Sequence, residues 1–86
     1  MSKLFKSLAD NTPEPITRGD YNYIVESAGN TVTLEILRAD GTTWETLNSW
    51  TADEFDQIVS LPDCQIRVQL GASTAFEIAP HFTKRL

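Results

Sequence analysis

Cys64 and His81 are the single cysteine and single histidine of this 86-residue chain. A thiol and an imidazole can form a nucleophile–base pair at any separation in sequence, because the fold decides which side chains meet. Here the surroundings do not develop that chemistry. No glycine-rich nucleophile elbow flanks Cys64. Cys64 reads as a small, half-buried residue at a strand start, and His81 follows Pro80 into the tail. One Cys and one His cannot close a zinc site. Asp53, Glu54 and Asp56 lie close together, but without the spacing and central glycine of a calcium loop. Scattered acids on strands do not define a glycosidase pair, and no GxxxxGK phosphate loop is present. The expectation is a non-enzymatic protein with no catalytic residue, no cofactor and no metal site. A lone cysteine also excludes an intramolecular disulfide.

Two groups of residues could instead serve recognition. The first is aromatic: Tyr21, Tyr23, Trp44 and Trp50. Trp44 and Trp50 are six apart, so an unbroken strand puts them on one face, with Thr46 and Asn48 between. Such a face is either core or a contact surface that stacks on a sugar or fills a partner's pocket. The second group opens the chain. Leu4, Phe5 and Leu8 could line one side of a short helix, flanked by Lys3 and Lys6. Pro13 and Pro15 lack backbone donors and separate this cluster from the rest of the chain. Residues 1–19 are therefore expected to be an arm, loose in the isolated protein, that docks on a partner through Lys3, Leu4, Phe5, Lys6 and Leu8. On that expectation, deleting residues 1–15 leaves a folded domain with an unchanged melting temperature.

The body of the chain alternates. Val32, Leu34 and Ile36 point one way and Thr31, Thr33 and Glu35 the other, the period of a half-buried strand. Asp40-Gly41 can supply the positive φ angles of a tight hairpin turn, and the strand from Trp44 to Trp50 returns. Before this hairpin, Asp20–Glu26 alternates with apolar residues on both faces. After it, Gln65–Leu70 and Ala75–Ala79 alternate around a Gly71–Thr74 turn. Residues 51–61 read two ways. Thr51 and Glu54 match a helical capping box, with Phe55, Ile58 and Val59 at helical spacing. Alternatively, Phe55, Gln57, Val59 and Leu61 share a strand face after a turn at Ala52-Asp53-Glu54. The regular recurrence of turns favours the strand. The fold expected is an all-β, small antiparallel β-sandwich or jelly-roll-like barrel of about six strands, with an extended N-terminal arm. Its parts are the arm (1–19), the β-domain (20–80) and a C-terminal tail (81–86).

The formal net charge of −5 is unevenly placed: residues 20–80 hold Arg38 and Arg67 against ten acids, whereas both ends are basic. An acidic body does not suit a phosphate backbone, so no nucleic-acid partner is expected. No stretch is long and apolar enough to span a bilayer, and MSKLFKSLADN lacks the apolar run of a signal peptide. Synthesis in a cytoplasm, with no membrane partner, is the expectation. A chain this short buries a modest core, and oligomerisation is one common remedy.

The run TVTLEILRADGTTWETLNSWTADEFDQIVSLPDCQIRVQL resembles small tailed-bacteriophage virion proteins. In those, a strand ending in a D-G-T-T-W-like turn leads to a T-A-D segment, an S-L-P turn and an R-V-containing strand. The matching residues are Asp40-Gly41-Thr42-Thr43-Trp44, Thr51-Ala52-Asp53, Ser60-Leu61-Pro62 and Arg67-Val68, within a resemblance from about Tyr21 to Ala79. Where those proteins have a small turn segment after T-A-D, this chain has the acidic, helix-capable Glu54-Phe55-Asp56-Gln57. The resemblance implies a capsid decoration (cement) protein, head fibre or tail module, and no catalytic residue. It implies a homo-oligomer, with a trimer as the expected form, bound to the major capsid protein or another virion protein, and located in the virion after synthesis in the host cytoplasm. The alternative is a receptor- or glycan-binding module of a fibre or tail that grips through Tyr21, Tyr23, Trp44 or Trp50. A nucleic-acid-mimicking inhibitor ranks last, because Arg38 and Arg67 interrupt the acidic surface.

Overall fold

The alternating segments form eight strands in the computed structural model, which describes residues 5–81. They are β1 (Lys6–Ser7), β2 (Glu14–Ile16), β3 (Gly19–Glu26), β4 (Val32–Leu37), β5 (Trp44–Trp50), β6 (Glu54–Leu61), β7 (Cys64–Gln69) and β8 (Ala75–Pro80). All strand pairings are antiparallel. One sheet has the order β1-β8-β3-β6 and the other β2-β7-β4-β5. First pairs with last, second with seventh, third with sixth and fourth with fifth, as in one long hairpin rolled up on itself.

The six strands expected from the sequence are all present, and 54–61 is a strand. The helical reading of that segment fails because Glu54, its expected third helical residue, pairs with Val25 in the ladder to β3, and the turn before it is tied to Ser27. Asp53 Oδ1 accepts the backbone N–H of Ser27 at 2.9 Å, and the Thr51 carbonyl accepts the Ser27 hydroxyl at 3.2 Å. Ser27 is itself buried, so these bonds satisfy polar groups that would otherwise be costly.

The inward faces of the two sheets meet in one core. Val25, Phe76 and Ile78 contribute from the first sheet, and Val32, Leu34, Ile66 and Val68 from the second. Three rings join the layers. Tyr23 and Phe76 stack with centroids 5.8 Å apart, and Trp50 tilts against both at 5.0 and 5.6 Å.

The expected detached arm is corrected from Phe5 onward. β1 pairs with β8, β2 pairs with β7, and Leu8 is buried in the core. Pro15 does not prevent this, because it lies on an edge strand, where a missing N–H can face away from the ladder. Residues 8–11 cross from one sheet to the other: Leu8 N–H donates to the Phe76 carbonyl at 2.9 Å and Asn11 N–H to the Val68 carbonyl at 2.7 Å. Only His81 of the expected tail is described. Its backbone N–H donates to the Asp20 carbonyl at 2.9 Å, so the segment is still attached to the first sheet at that point.

The β4–β5 turn differs in detail from the expected one. Gly41 alone takes a positive φ, of 77°. Asp40 instead caps the turn: its carboxylate accepts the N–H groups of Thr42 and Thr43 at 2.9 and 2.8 Å and the Thr43 hydroxyl at 2.6 Å. These bonds, that of the Thr43 hydroxyl foremost, bring its pKa down from 3.8 to about 2. A depressed folded-state pKa means the stabilisation is present above the unfolded value and is lost as pH falls through the folded one. Asp40→Ala is therefore expected to be less stable than the parent at neutral pH, with the gap closing between pH 3.8 and about 2. Urea titrations across that range would show it, and a gap independent of pH would dissociate the cap from the carboxylate's charge.

Candidate functional site

Edge strands carry a row of unpaired N–H and C=O groups, so proteins shorten, interrupt or cover them. This molecule treats its two rims differently. One rim consists of β1 and β2, two and three residues long, with Pro15 in β2. Lys6 Nζ ties them by an ion pair to Glu14 Oε1 at 2.7 Å. The other rim consists of β5 and β6, seven and eight residues long. The exposed large hydrophobic residues of the described chain are Leu47, Phe55 and Ile58, at 43, 58 and 55% exposure. All three stand on this second rim.

The two rim strands are not equivalent. On β5 a bulge places Leu47 as an extra residue between Thr46 and Asn48, which face Glu35 and Leu34. On β6 the irregularity sits near the start, at Phe55 and Asp56, where Asp56 takes a φ of 55°. From Gln57 to Leu61 its pairing with β3 is regular.

The β5 bulge also decides the tryptophans. It shifts the alternation by one, so Trp50 faces the core opposite Val32 while Trp44 lies opposite Leu37 on the outer face. The expectation of a shared face is thereby corrected. Tyr23 and Trp50 are core residues, only 7 and 9% exposed. Tyr21 is half-buried and bonds the Thr17 carbonyl through its hydroxyl at 2.6 Å. The four aromatics thus do not form one contact surface. Trp44 alone stands on the outer face of the second sheet, with the Arg67 guanidinium 4.3 Å from its ring centroid. Arg67 Nε also donates to Glu35 at 2.6 Å, and Gln69 donates to the same carboxylate oxygen at 3.1 Å. The bond from Arg67 holds the Glu35 carboxyl below its ordinary range, against the upward push of burial.

The arm residues are divided as well. Lys3 and Leu4 lie outside the described residues. Phe5 is half-buried, Lys6 is engaged by Glu14, and Leu8 is core. The missed residues are Leu47, Phe55 and Ile58. Their signal in the sequence was slight: Leu47 sits out of phase between the two tryptophans, as a bulged residue does.

The remaining candidates for chemistry are occupied. Burial, with the Asp63 carboxylate beside it, pushes the Cys64 thiol upward, away from the thiolate a nucleophile needs. His81 Nδ1 lies 2.8 Å from the Asn22 side-chain oxygen. Among the described residues no three His, Cys, Asp or Glu side chains converge as a metal-holding group, and no helix is long and apolar enough to cross a membrane. A cleft of about 220 Å³ opens between the sheets at the β1–β2 rim, lined by Leu8, Ile16, Tyr21 and Ile78 beside the Lys6–Glu14 pair. It falls short of the ~300–1,000 Å³ that usually encloses a small-molecule ligand. Comparison of the chain with protein-family models, curated proteins and solved structures gave no match.

Proposed function

We propose that this protein is a non-enzymatic structural component of a bacteriophage particle, a capsid decoration protein that binds the head shell through its β5–β6 rim. The observation that carries the reading is the placement of Leu47, Phe55 and Ile58 on the edge strands β5 and β6, while the other two edges are shortened and tied down. Apolar side chains beside unpaired backbone are what a protein partner covers. The order 1-8-3-6 against 2-7-4-5 is that of a jelly roll, an architecture used by viral capsid and lectin domains. That is support by analogy of fold, which does not by itself carry function. The glycan-binding alternative would rest on Trp44, and Arg67 already lies over that ring.

The test is binding of purified protein to shells lacking it. Burial of an apolar anchor contributes about 1.5–3 kcal/mol, and 1.4 kcal/mol is tenfold in affinity. The double variant Leu47→Lys/Phe55→Lys is therefore expected to fold normally, since both side chains are exposed, and to lose at least about tenfold in shell affinity. Parent protein that does not bind shells, or a folded variant that binds as well as the parent, overturns the reading.

A further inference from the structure

We propose that β6 is a self-pairing edge: two copies of the chain join by antiparallel β6–β6 pairing about a two-fold axis at Ile58. The two β1-β8-β3-β6 sheets then continue into one eight-stranded sheet. The inference rests on reading the rim as an association surface, and it names the occupant of its β6 half.

An unpaired edge asks for an extended strand, and the chain's own edges differ in their ability to provide one. β1 and β2 are two and three residues long, and β5 is interrupted by its bulge at Leu47. β6 pairs regularly from Gln57 to Leu61, and those five residues carry no charge in a chain of net charge −5. Ile58 pairs with Asn22, whose side chain meets His81 rather than the inter-sheet core, so Ile58 belongs to the outer face of its sheet.

A two-fold axis perpendicular to the sheet maps outer face onto outer face. Facing residues must then be both outer or both inner, because directly opposed side chains in an antiparallel pair lie on the same side. Centring the axis on Ile58 meets this condition. Ile58 faces its own mate, Gln57 faces Val59, and Asp56 faces Ser60. The exposed isoleucine is thereby covered by the same residue of the second copy. The acids are kept apart. Asp56 of one copy is four positions along the ladder from Asp56 of the other, about 14 Å at strand rise, beyond the ~8–10 Å over which exposed charges act at ordinary ionic strength. Glu54 lies farther from the axis still. The result is a pair with two-fold symmetry, in place of the trimer that the phage resemblance implies.

Sedimentation analysis of the full chain from micromolar to millimolar concentration is expected to give a species of twice the 9.6 kDa chain mass. Ile58→Lys and Ile58→Glu should each fold, since the side chain is exposed, and each sediment as a monomer because like charges then face across the axis. Mixing the two should restore a dimer, because lysine then faces glutamate. A parent chain that stays monomeric overturns the proposal, as do single variants that dimerise like the parent. Variants that remain monomeric after mixing overturn the Ile58 register. Shell binding is read separately. A monomeric parent that binds shells assigns the edge to a foreign strand and leaves the rim reading intact, whereas a dimer that ignores shells supports self-pairing and removes the decoration role.

Discussion

Phe76→Ala is expected to lose about 3–5 kcal/mol of stability, the usual cost of truncating a buried phenylalanine. Phe76 is fully buried at the junction of the two sheets and touches both other core rings. Truncation removes the transfer energy of the ring, leaves a cavity, and breaks two aromatic pairs worth about 0.5–1.5 kcal/mol each beyond their buried area. Small domains are stable by only about 5–15 kcal/mol, so much of the total would go. Urea titration should show a lower midpoint at unchanged slope, and the near-ultraviolet signal of Trp50 should weaken because it loses a neighbour. Phe76→Leu, which fills most of the space, should cost much less. A loss from Phe76→Ala below about 1 kcal/mol, the typical effect of an ordinary substitution, would mean the ring is not where the sheets join.

Deleting residues 1–15 is expected to destabilise the domain, reversing the expectation drawn from the chain's pattern. The deletion removes β1, most of β2, and Leu8 from the core. It also removes the bonds from Leu8 N–H to Phe76 and from Asn11 N–H to Val68, and leaves Leu70 N–H without its 2.8 Å acceptor, Asp10. Loss of Leu8 alone, tested as Leu8→Ala, should cost about 2–5 kcal/mol. At about 4–8 °C per kcal/mol for a domain of this size, that lowers the melting temperature by roughly 10 °C or more. The Lys6–Glu14 pair adds little, since exposed pairs contribute about 0–1 kcal/mol. A truncated chain with the parent's melting temperature would restore the detached arm and place Leu8 outside the folding unit.

The candidate site was less legible than the fold. Trp44, Trp50, Tyr21 and Tyr23 drew notice as large side chains, but the property that matters for contact is exposure, and a single bulge at Leu47 sent the two tryptophans to opposite faces. Phe55 and Ile58 read as apolar positions of a segment that fitted either a helix or a strand, with Ile58 named only at helical spacing. Whether such a residue is covered depends on whether its strand lies at the middle or the edge of a sheet, and that is a property of strand order.

Local pattern sufficed for β3, β4, β5, β7 and β8, because period-two alternation in segments such as Val32–Leu37 and Cys64–Gln69 is segregated into two faces only by a strand, whereas 51–61 also fitted a helix. It sufficed too for the position of the turn at Asp40-Gly41, but not for its form, in which Gly41 alone takes the positive φ and the Asp40 carboxylate caps the backbone. Long-range packing set the rest. The backbone of Leu8, a core residue, bonds Phe76, 68 positions away, and Asp53 in the turn before β6 accepts from Ser27, 26 positions away. No short window along the chain contains those partners. The same holds for the open rim. β6 is an edge because β3 is its one strand partner among the described residues, and the energy that selects this arrangement comes from burying the inward faces of two sheets at once, a condition set by the whole chain.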